Sequence, residues 1–338
     1  MASSNRIKWF LSLLILLVAL QRCEADGDDD IPTFKFPTNT QQQAKDEMSL
    51  ALKEAMTLAR FLAITSVPCD EGFLRYFQPQ DYLFVQRVFR TIANIPFDKQ
   101  FDQSNIADLL ASWDKDAKLN PKFTDLSISL GDHPDVREQD RGRNCEDGEL
   151  GAQTTYLPPV YGNRALMAIC SPSFEFYYSL KDIEDPPDWA LTAKGGAPEA
   201  GFSCNGLLGR DTSYMLSPGS VILHELMHWP YLLQDIPDYA RFAQPTTGGY
   251  SKILDFAGPN PPDGYGPFNS ARIQSLPVNA VTGKSQAIRN ADSYVWYAMN
   301  KYWSWKCNRS FGASTSPDDN TLRNFAFSDD TNEEGSGS

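Results

Sequence analysis

Ser217-Pro218-Gly219-Ser220-Val221-Ile222-Leu223-His224-Glu225-Leu226-Met227-His228-Trp229-Pro230 decides how the rest of the chain is read. Serine followed by proline is an N-cap and first-turn signal, and the apolar run after it predicts a helix to about Leu233. Only three histidines occur in 338 residues, His133, His224 and His228, and two of them stand four apart with Glu225 directly after the first. Independent placement gives that arrangement in about one chain in a thousand. Four residues make roughly one helical turn, so both imidazoles can face a single ion at about 2.0–2.1 Å. Glu225 lies about 100° further round the helix, beside that ion, where its carboxylate can take a proton from an activated water. Leu223, Leu226, Met227 and Trp229 are core-type residues, and a packed, hydrogen-bonded histidine pair is the ordinary alternative. Two imidazoles and a carboxylate in an apolar stretch need several buried partners to offset desolvation, whereas one Zn2+ satisfies both rings together.

A zinc site with an open position needs a third protein ligand. No histidine or glutamate occurs between His228 and Asn332, which leaves aspartate oxygen, and the downstream candidates are Asp235, Asp238, Asp255, Asp263 and Asp292. His133 sits in Asp132-His133-Pro134, a turn signal that predicts a surface position rather than a ligand.

Hydrophobic residues make up 41% of the chain and charged residues 22%, which supplies apolar material for one large core and too little charge for a mostly disordered protein. Met48, Leu50, Leu52, Ala55, Met56, Leu58 and Leu62 recur at helical spacing and predict a long helix over 41–63. Helices near 81–94 and 104–115 complete an N-terminal helical layer over 41–120. Leu126, Ile128 and Leu130 alternate with serines as in a half-buried strand, and two more strands are expected at Ala165–Cys170 and Phe174–Leu180. Residues 185–216 read as a long surface loop, 244–268 as a second Gly/Pro loop and 285–305 as a helix. The pattern predicts an α+β fold, mostly helical with a small mixed or antiparallel sheet. It forms one domain over 41–310 with the zinc-bearing core at 121–310, after an acidic extended lead-in at 26–40 and before a disordered tail at 311–338.

Arg6 and Lys8 precede an apolar run from Trp9 to Leu20, and Cys23-Glu24-Ala25 is a cleavage-like triplet, so 1–25 reads as a signal peptide and the protein as secreted and extracellular. No later segment reaches about 18 consecutive apolar residues, so no membrane association is expected. Cys69, Cys145, Cys170, Cys204 and Cys307 follow the signal. They predict two disulfides and one free thiol, with Cys145–Cys170 a pair because both flank the strand region. Asn308-Arg309-Ser310 is an N-glycosylation sequon. With 30 Lys and Arg against 43 Asp and Glu, the net charge of -13 argues against nucleic acid and points to polypeptide partners, basic ones included. A monomer is expected.

His224-Glu225-Leu226-Met227-His228-Trp229-Pro230, followed by Tyr265-Gly266-Pro267 and Asn290-Ala291-Asp292-Ser293-Tyr294, resembles the aspzincin metalloendopeptidases: fungal deuterolysins and the related lysine-specific metalloendopeptidases. Ala168-Ile169-Cys170-Ser171-Pro172-Ser173-Phe174 is similar to a strand-and-turn segment upstream of their zinc helix, and the likeness is strongest over about 165–305. The resemblance implies a zincin-like fold and a secreted zinc endopeptidase. It also implies one Zn2+ on His224, His228 and an aspartate, Glu225 as general base, and Tyr265 as donor to the oxyanion. In the family pattern GTxxDxxYG the aspartate stands three residues before the tyrosine, a position held here by Pro262. Ile253-Leu254-Asp255-Phe256-Ala257 looks like the ligand segment, with 258–264 inserted, so the resemblance favours Asp255 and leaves Asp263 as the alternative. Asp292 matches an aspartate that, in lysine-specific relatives, helps attract a substrate lysine together with a glutamate three residues later. Here the later position is Val295, and the other expected role of Asp292 is to bond helix termini or the groups behind the zinc. The rival to an endopeptidase is a catalytically degenerate, zincin-like surface antigen that binds zinc or a host protein.

Overall fold

The computed structural model describes residues 31–322 apart from 117, 144, 148–150 and 192–197. The expected signal peptide, positions 26–30 of the lead-in and positions 323–338 of the tail lie outside the described residues. The fold is α+β. Its principal elements in chain order are β1 (Thr33–Lys35), α1 (Gln42–Thr65), α2 (Glu71–Tyr76), α3 (Tyr82–Ile92), α4 (Ile106–Asp116), β2 (Leu126–Leu130), β3 (Ala152–Thr155), β4 (Ala165–Ile169), α5 (Pro218–Met227), β5 (Gln244–Pro245), β6 (Ser251–Lys252), α6 (Gly266–Gln274) and α7 (Ala291–Lys306).

The main sheet has the order β1-β2-β4-β3, with β1, β2 and β4 parallel and β3 antiparallel at the edge. Parallel neighbours need a crossover, and the whole helical layer α1–α4 is the crossover between β1 and β2. That layer is therefore woven into the fold. Within the extended lead-in, Thr33–Lys35 is a strand of the sheet, paired with Ser127–Ser129.

Strand β4 is buried along its length, and the serines of β2 are buried too. The half-buried reading of 126–130 is corrected on that point. Ser129 Oγ donates to the Gly131 carbonyl at 2.8 Å, and Ser127 Oγ lies 2.9 Å from His133 Nε2. His133 is only 2% exposed, contrary to the expected surface position. Its Nδ1 accepts from the Asp135 N–H at 3.2 Å, and burial pushes the imidazole pKa down to about 4.

The strand expected at Phe174–Leu180 does not form: Pro172–Glu175 and Leu180–Glu184 are short helical turns. The antiparallel neighbour of β4 is Ala152–Thr155, a polar stretch without alternation. The 185–216 stretch is not simply surface, since Asp211, Thr212 and Ser213 are fully buried. Asp211 accepts from Arg75 at 2.7 Å, Tyr76 at 2.6 Å and Asn300 at 2.7 Å, joining α2 to α7. The tail reading is corrected over 311–322. Phe311 is buried, Asp319 pairs with Arg210 at 2.9 Å, and Asn320 Oδ1 accepts from the Phe268 N–H at 3.2 Å.

Among the described residues Cys145–Cys170 and Cys204–Cys307 are disulfides, the first as expected, and Cys69 is free and exposed. Two disulfides fit an oxidising compartment. Among the described residues no helix is long and apolar enough to cross a membrane.

Candidate metal centre

Helix α5 starts as its sequence dictates. Ser217 caps the Ser220 N–H, Ser220 returns a bond to the Ser217 N–H, and Pro218 occupies the first turn. It packs on α1 at Gly219, where an added Cβ would lie 2.3 Å from the Glu54 Cβ and 2.9 Å from the Ala51 carbonyl oxygen, so only glycine permits the approach. The helix stops at Met227 rather than near Leu233. Pro230 has no N–H and forces Trp229 out of helical geometry (φ -104°, ψ 89°), and a separate turn, Pro230–Leu233, follows. His228 thus sits on a tightened last turn, its N–H donating to the Glu225 carbonyl at 3.1 Å.

The two imidazoles converge. His224 Nε2 and His228 Nε2 are 3.2 Å apart, and Asp255 Oδ1 lies 3.0 Å from the first and 3.4 Å from the second. The other ring nitrogens are held from behind: His224 Nδ1 is 2.7 Å from Asp292 Oδ1, and His228 Nδ1 is 2.9 Å from the Ile253 carbonyl oxygen. Because Asp292 and a carbonyl can only accept, the Nδ1 positions are assigned the protons and the Nε2 positions the lone pairs. Three acceptors then face one another across a triangle with no donor between them. Such an arrangement calls for a cation. Ligands about 2.0–2.1 Å from a tetrahedral ion are about 3.3–3.4 Å apart, close to the three spacings here. Burial alone would push the Asp255 carboxyl up and the His224 imidazole down. Their proximity reverses both: the carboxyl is held ionised and the His224 ring favours a positive charge at Nε2, a place that a proton or a metal cation can take.

Asp255 reaches this point because Leu254 is stitched to the entry of α7, its N–H donating to the Arg289 carbonyl at 3.0 Å and its carbonyl accepting from Ala291 at 2.9 Å. Asn290, fully buried, fastens the loop between: its Oδ1 accepts from the Phe256 N–H at 3.0 Å, and its Nδ2 donates to the Gly264 carbonyl at 3.1 Å. Asp292 in the first turn of α7 also accepts from the Gly266 N–H at 2.6 Å and from Trp296 Nε1 at 3.2 Å. It therefore bonds both a helix terminus and a ring of the site. Asp263 does not join the cluster. Its Oδ1 accepts from the Tyr265 N–H at 3.0 Å and Asn269 Nδ2 at 2.8 Å. The remaining aspartate candidates are likewise absent from the His224, His228 and Asp255 group.

Glu225 is 4% exposed and its Oε2 has no hydrogen-bond partner. Tyr265 is about half exposed, its ring stacked over His224 with centroids 6.0 Å apart. Burial first, then the neighbouring Asp255 carboxylate, pushes its phenol above the ordinary value of 10.0. His224, Glu225, His228, Asp255, Tyr265 and Asp292 line one cleft of about 690 Å³, with Gln153 and Thr154 of the edge strand β3 and Val295 and Trp296 of α7 also on its walls. Asn308 is exposed, as a glycosylation acceptor requires. Sequence reasoning missed Asn290, the Ile253 carbonyl and the cleft residue Lys252. Of these, only Asn290 carried a signal, as the head of the quoted Asn290–Tyr294 segment. No protein-family model matches the chain, and no curated protein matches it.

Proposed function

We propose that this chain is a secreted zinc-dependent endopeptidase of zincin-like fold, similar to the aspzincins. The observation that carries the reading is the convergence of His224 Nε2, His228 Nε2 and Asp255 Oδ1 beside a buried carboxylate, Glu225, with an unpartnered oxygen. A Zn2+ held by those three side chains supplies Lewis-acid polarisation of a peptide carbonyl and makes a nearby water acidic enough to react near neutral pH.

The protein's own groups do the rest. Glu225 Oε2 takes a proton from the attacking water and returns it to the leaving amine nitrogen. The Tyr265 phenol, its proton held tightly, donates to the carbonyl oxygen as negative charge develops there. Asp292 and the Ile253 carbonyl fix the two rings with their Nε2 lone pairs facing the cleft. A cleft of about 690 Å³ suits an extended peptide segment.

The test is Glu225→Gln, an isosteric change that removes the base and leaves the three ligands. The variant should retain one zinc per chain and lose peptide cleavage by at least about 100-fold. A chelator should abolish wild-type activity, and added zinc should restore it. Undiminished cleavage by Glu225→Gln would sink the mechanism, and a zinc-loaded wild type with no cleavage of any peptide would favour a zinc-binding surface protein instead.

A further inference from the structure

The cleft holds one charged side chain for which the reading above has no use. Lys252 lies on β6, its backbone register fixed opposite Gln244. Strand geometry alternates faces, and it does so here: Lys252 and Leu254 line the cleft while Ile253 between them is fully buried. The lysine is half-buried and, among the described residues, has neither a hydrogen-bond nor an ion-pair partner. Its electrostatic neighbours are Glu225 and Asp255, and neither lies within ion-pair distance.

The other charges of the cleft are accounted for. Asp292 accepts three donors, Asp263 two, and Asp255 faces the imidazoles. Glu225 keeps its free oxygen for proton transfer. Arg143 is at the exposed mouth. A partly desolvated ammonium without a partner is costly, and an anion arriving with the ligand removes that cost. The chain's net charge of -13 acts at long range and is screened beyond about 8 Å at physiological ionic strength, so within the cleft the local cation outweighs it.

We infer that Lys252 makes the cleft select a substrate carboxylate close to the scissile bond, either an Asp or Glu side chain or a free chain terminus. This rests on the peptidase reading and deepens it, and it runs against the preference for basic substrates that net charge alone suggests. A charge-assisted hydrogen bond of this kind favours the carboxylate over its neutral amide by about 10- to 100-fold.

The experiment uses quenched fluorescent peptides that place Glu, Gln or Lys at each position flanking the cut, each with a free or an amidated C-terminus. Wild type should show a Glu-to-Gln, or acid-to-amide, ratio in kcat/KM of about 10 to 100. The two arms distinguish a side chain from a chain end. Lys252→Met should bring that ratio to about one, Lys252→Glu should turn it towards Lys, and Lys252→Arg should keep it, with zinc content and melting temperature checked for each. A wild-type ratio near one overturns the inference, as does an unchanged ratio in Lys252→Met. An equal loss on both peptides in that variant also overturns it, since the lysine would then act on bond breaking rather than recognition. Anisotropy binding of the same peptides separates this inference from its premise. Lys252-dependent binding of the acidic peptide without any cleavage refutes the peptidase and keeps the carboxylate site, while absence of both refutes both.

Discussion

Asp292→Asn changes one oxygen for an NH2 group at the point where three donors meet. In the protein, Oδ1 faces His224 Nδ1 at 2.7 Å, and Oδ2 accepts from the Gly266 N–H at 2.6 Å and Trp296 Nε1 at 3.2 Å. Asparagine has two orientations and neither fits. With its oxygen towards His224, its NH2 confronts two N–H donors; with its NH2 towards His224, the proton on the ring moves to Nε2, the atom that must face the metal. The first orientation leaves two donors unsatisfied, a cost of about 1–3 kcal/mol each, and the second blocks a ligand. Loss of a partner behind a ligating histidine typically weakens metal binding by about 10–100-fold, or about 1.4–2.7 kcal/mol. Zinc affinity measured by competition with a chromophoric chelator should fall by that factor in Asp292→Asn. It should stay within about twofold of wild type in Asp263→Asn, whose side chain touches neither imidazole. Wild-type zinc affinity in a folded Asp292→Asn protein would refute the orientation argument.

The choice between the two aspartates is settled by removal: Asp255→Ala should lose stoichiometric zinc while Asp263→Ala keeps it, read by metal analysis after dialysis, and the reverse result would move the ligand to Asp263. Stability should carry two opposed pH dependences. Glu54, accepting from the Leu180 N–H at 2.6 Å, has its carboxyl pushed up by burial from 4.5 to about 7. The folded state then holds a proton the unfolded chain has released, so this group's contribution falls as pH rises from about 4.5 to 7, by about 3 kcal/mol in full. His133, held down near 4 against 6.5, does the opposite: the unfolded chain takes up the proton first, so stability is lost as pH falls from 6.5 to about 4. Denaturation curves of Glu54→Gln, with wild type subtracted, should show stability rising with pH relative to wild type across 4.5–7. Those of His133→Gln should show it falling with pH relative to wild type across 4–6.5, and flat difference curves would refute the assigned protonation states.

Legibility in the sequence followed how local each cause was. The first helix, predicted over 41–63 and found at Gln42–Thr65, has a strong apolar period over many turns, and so do α3 and α4. The convergence of His224 and His228 was legible because a single helical turn places both rings. The error at its C-terminal end was avoidable, since Pro230 announces the stop. What failed depended on distant partners. Ala152–Thr155 is a strand only because β4 lies beside it, and polar residues there face a cleft rather than solvent, so no alternation could announce it. His133 in a turn reads as surface until Ser127 on β2 and the Asp135 N–H are seen to satisfy its ring. The segment 311–322 lacks apolar periodicity and is ordered instead by Arg210 and by the start of α6.

The same distinction bears on how the N-terminal layer relates to the site. A removable activation segment would pack on a finished domain, yet β1, which precedes the layer, pairs directly with β2, which follows it. Glu54 of α1 accepts from the Gly219 N–H at 3.4 Å in the first turn of the helix that carries His224 and His228, and also from Leu180. Gly219 has no side chain because α1 occupies that space. Removing the layer would uncover the buried face of α5 and strip its N-terminal contacts, so it would abolish the site. Cleavage after residue 120 should therefore yield protein without bound zinc, and a trimmed fragment that still bound zinc stoichiometrically would show that the crossover is dispensable.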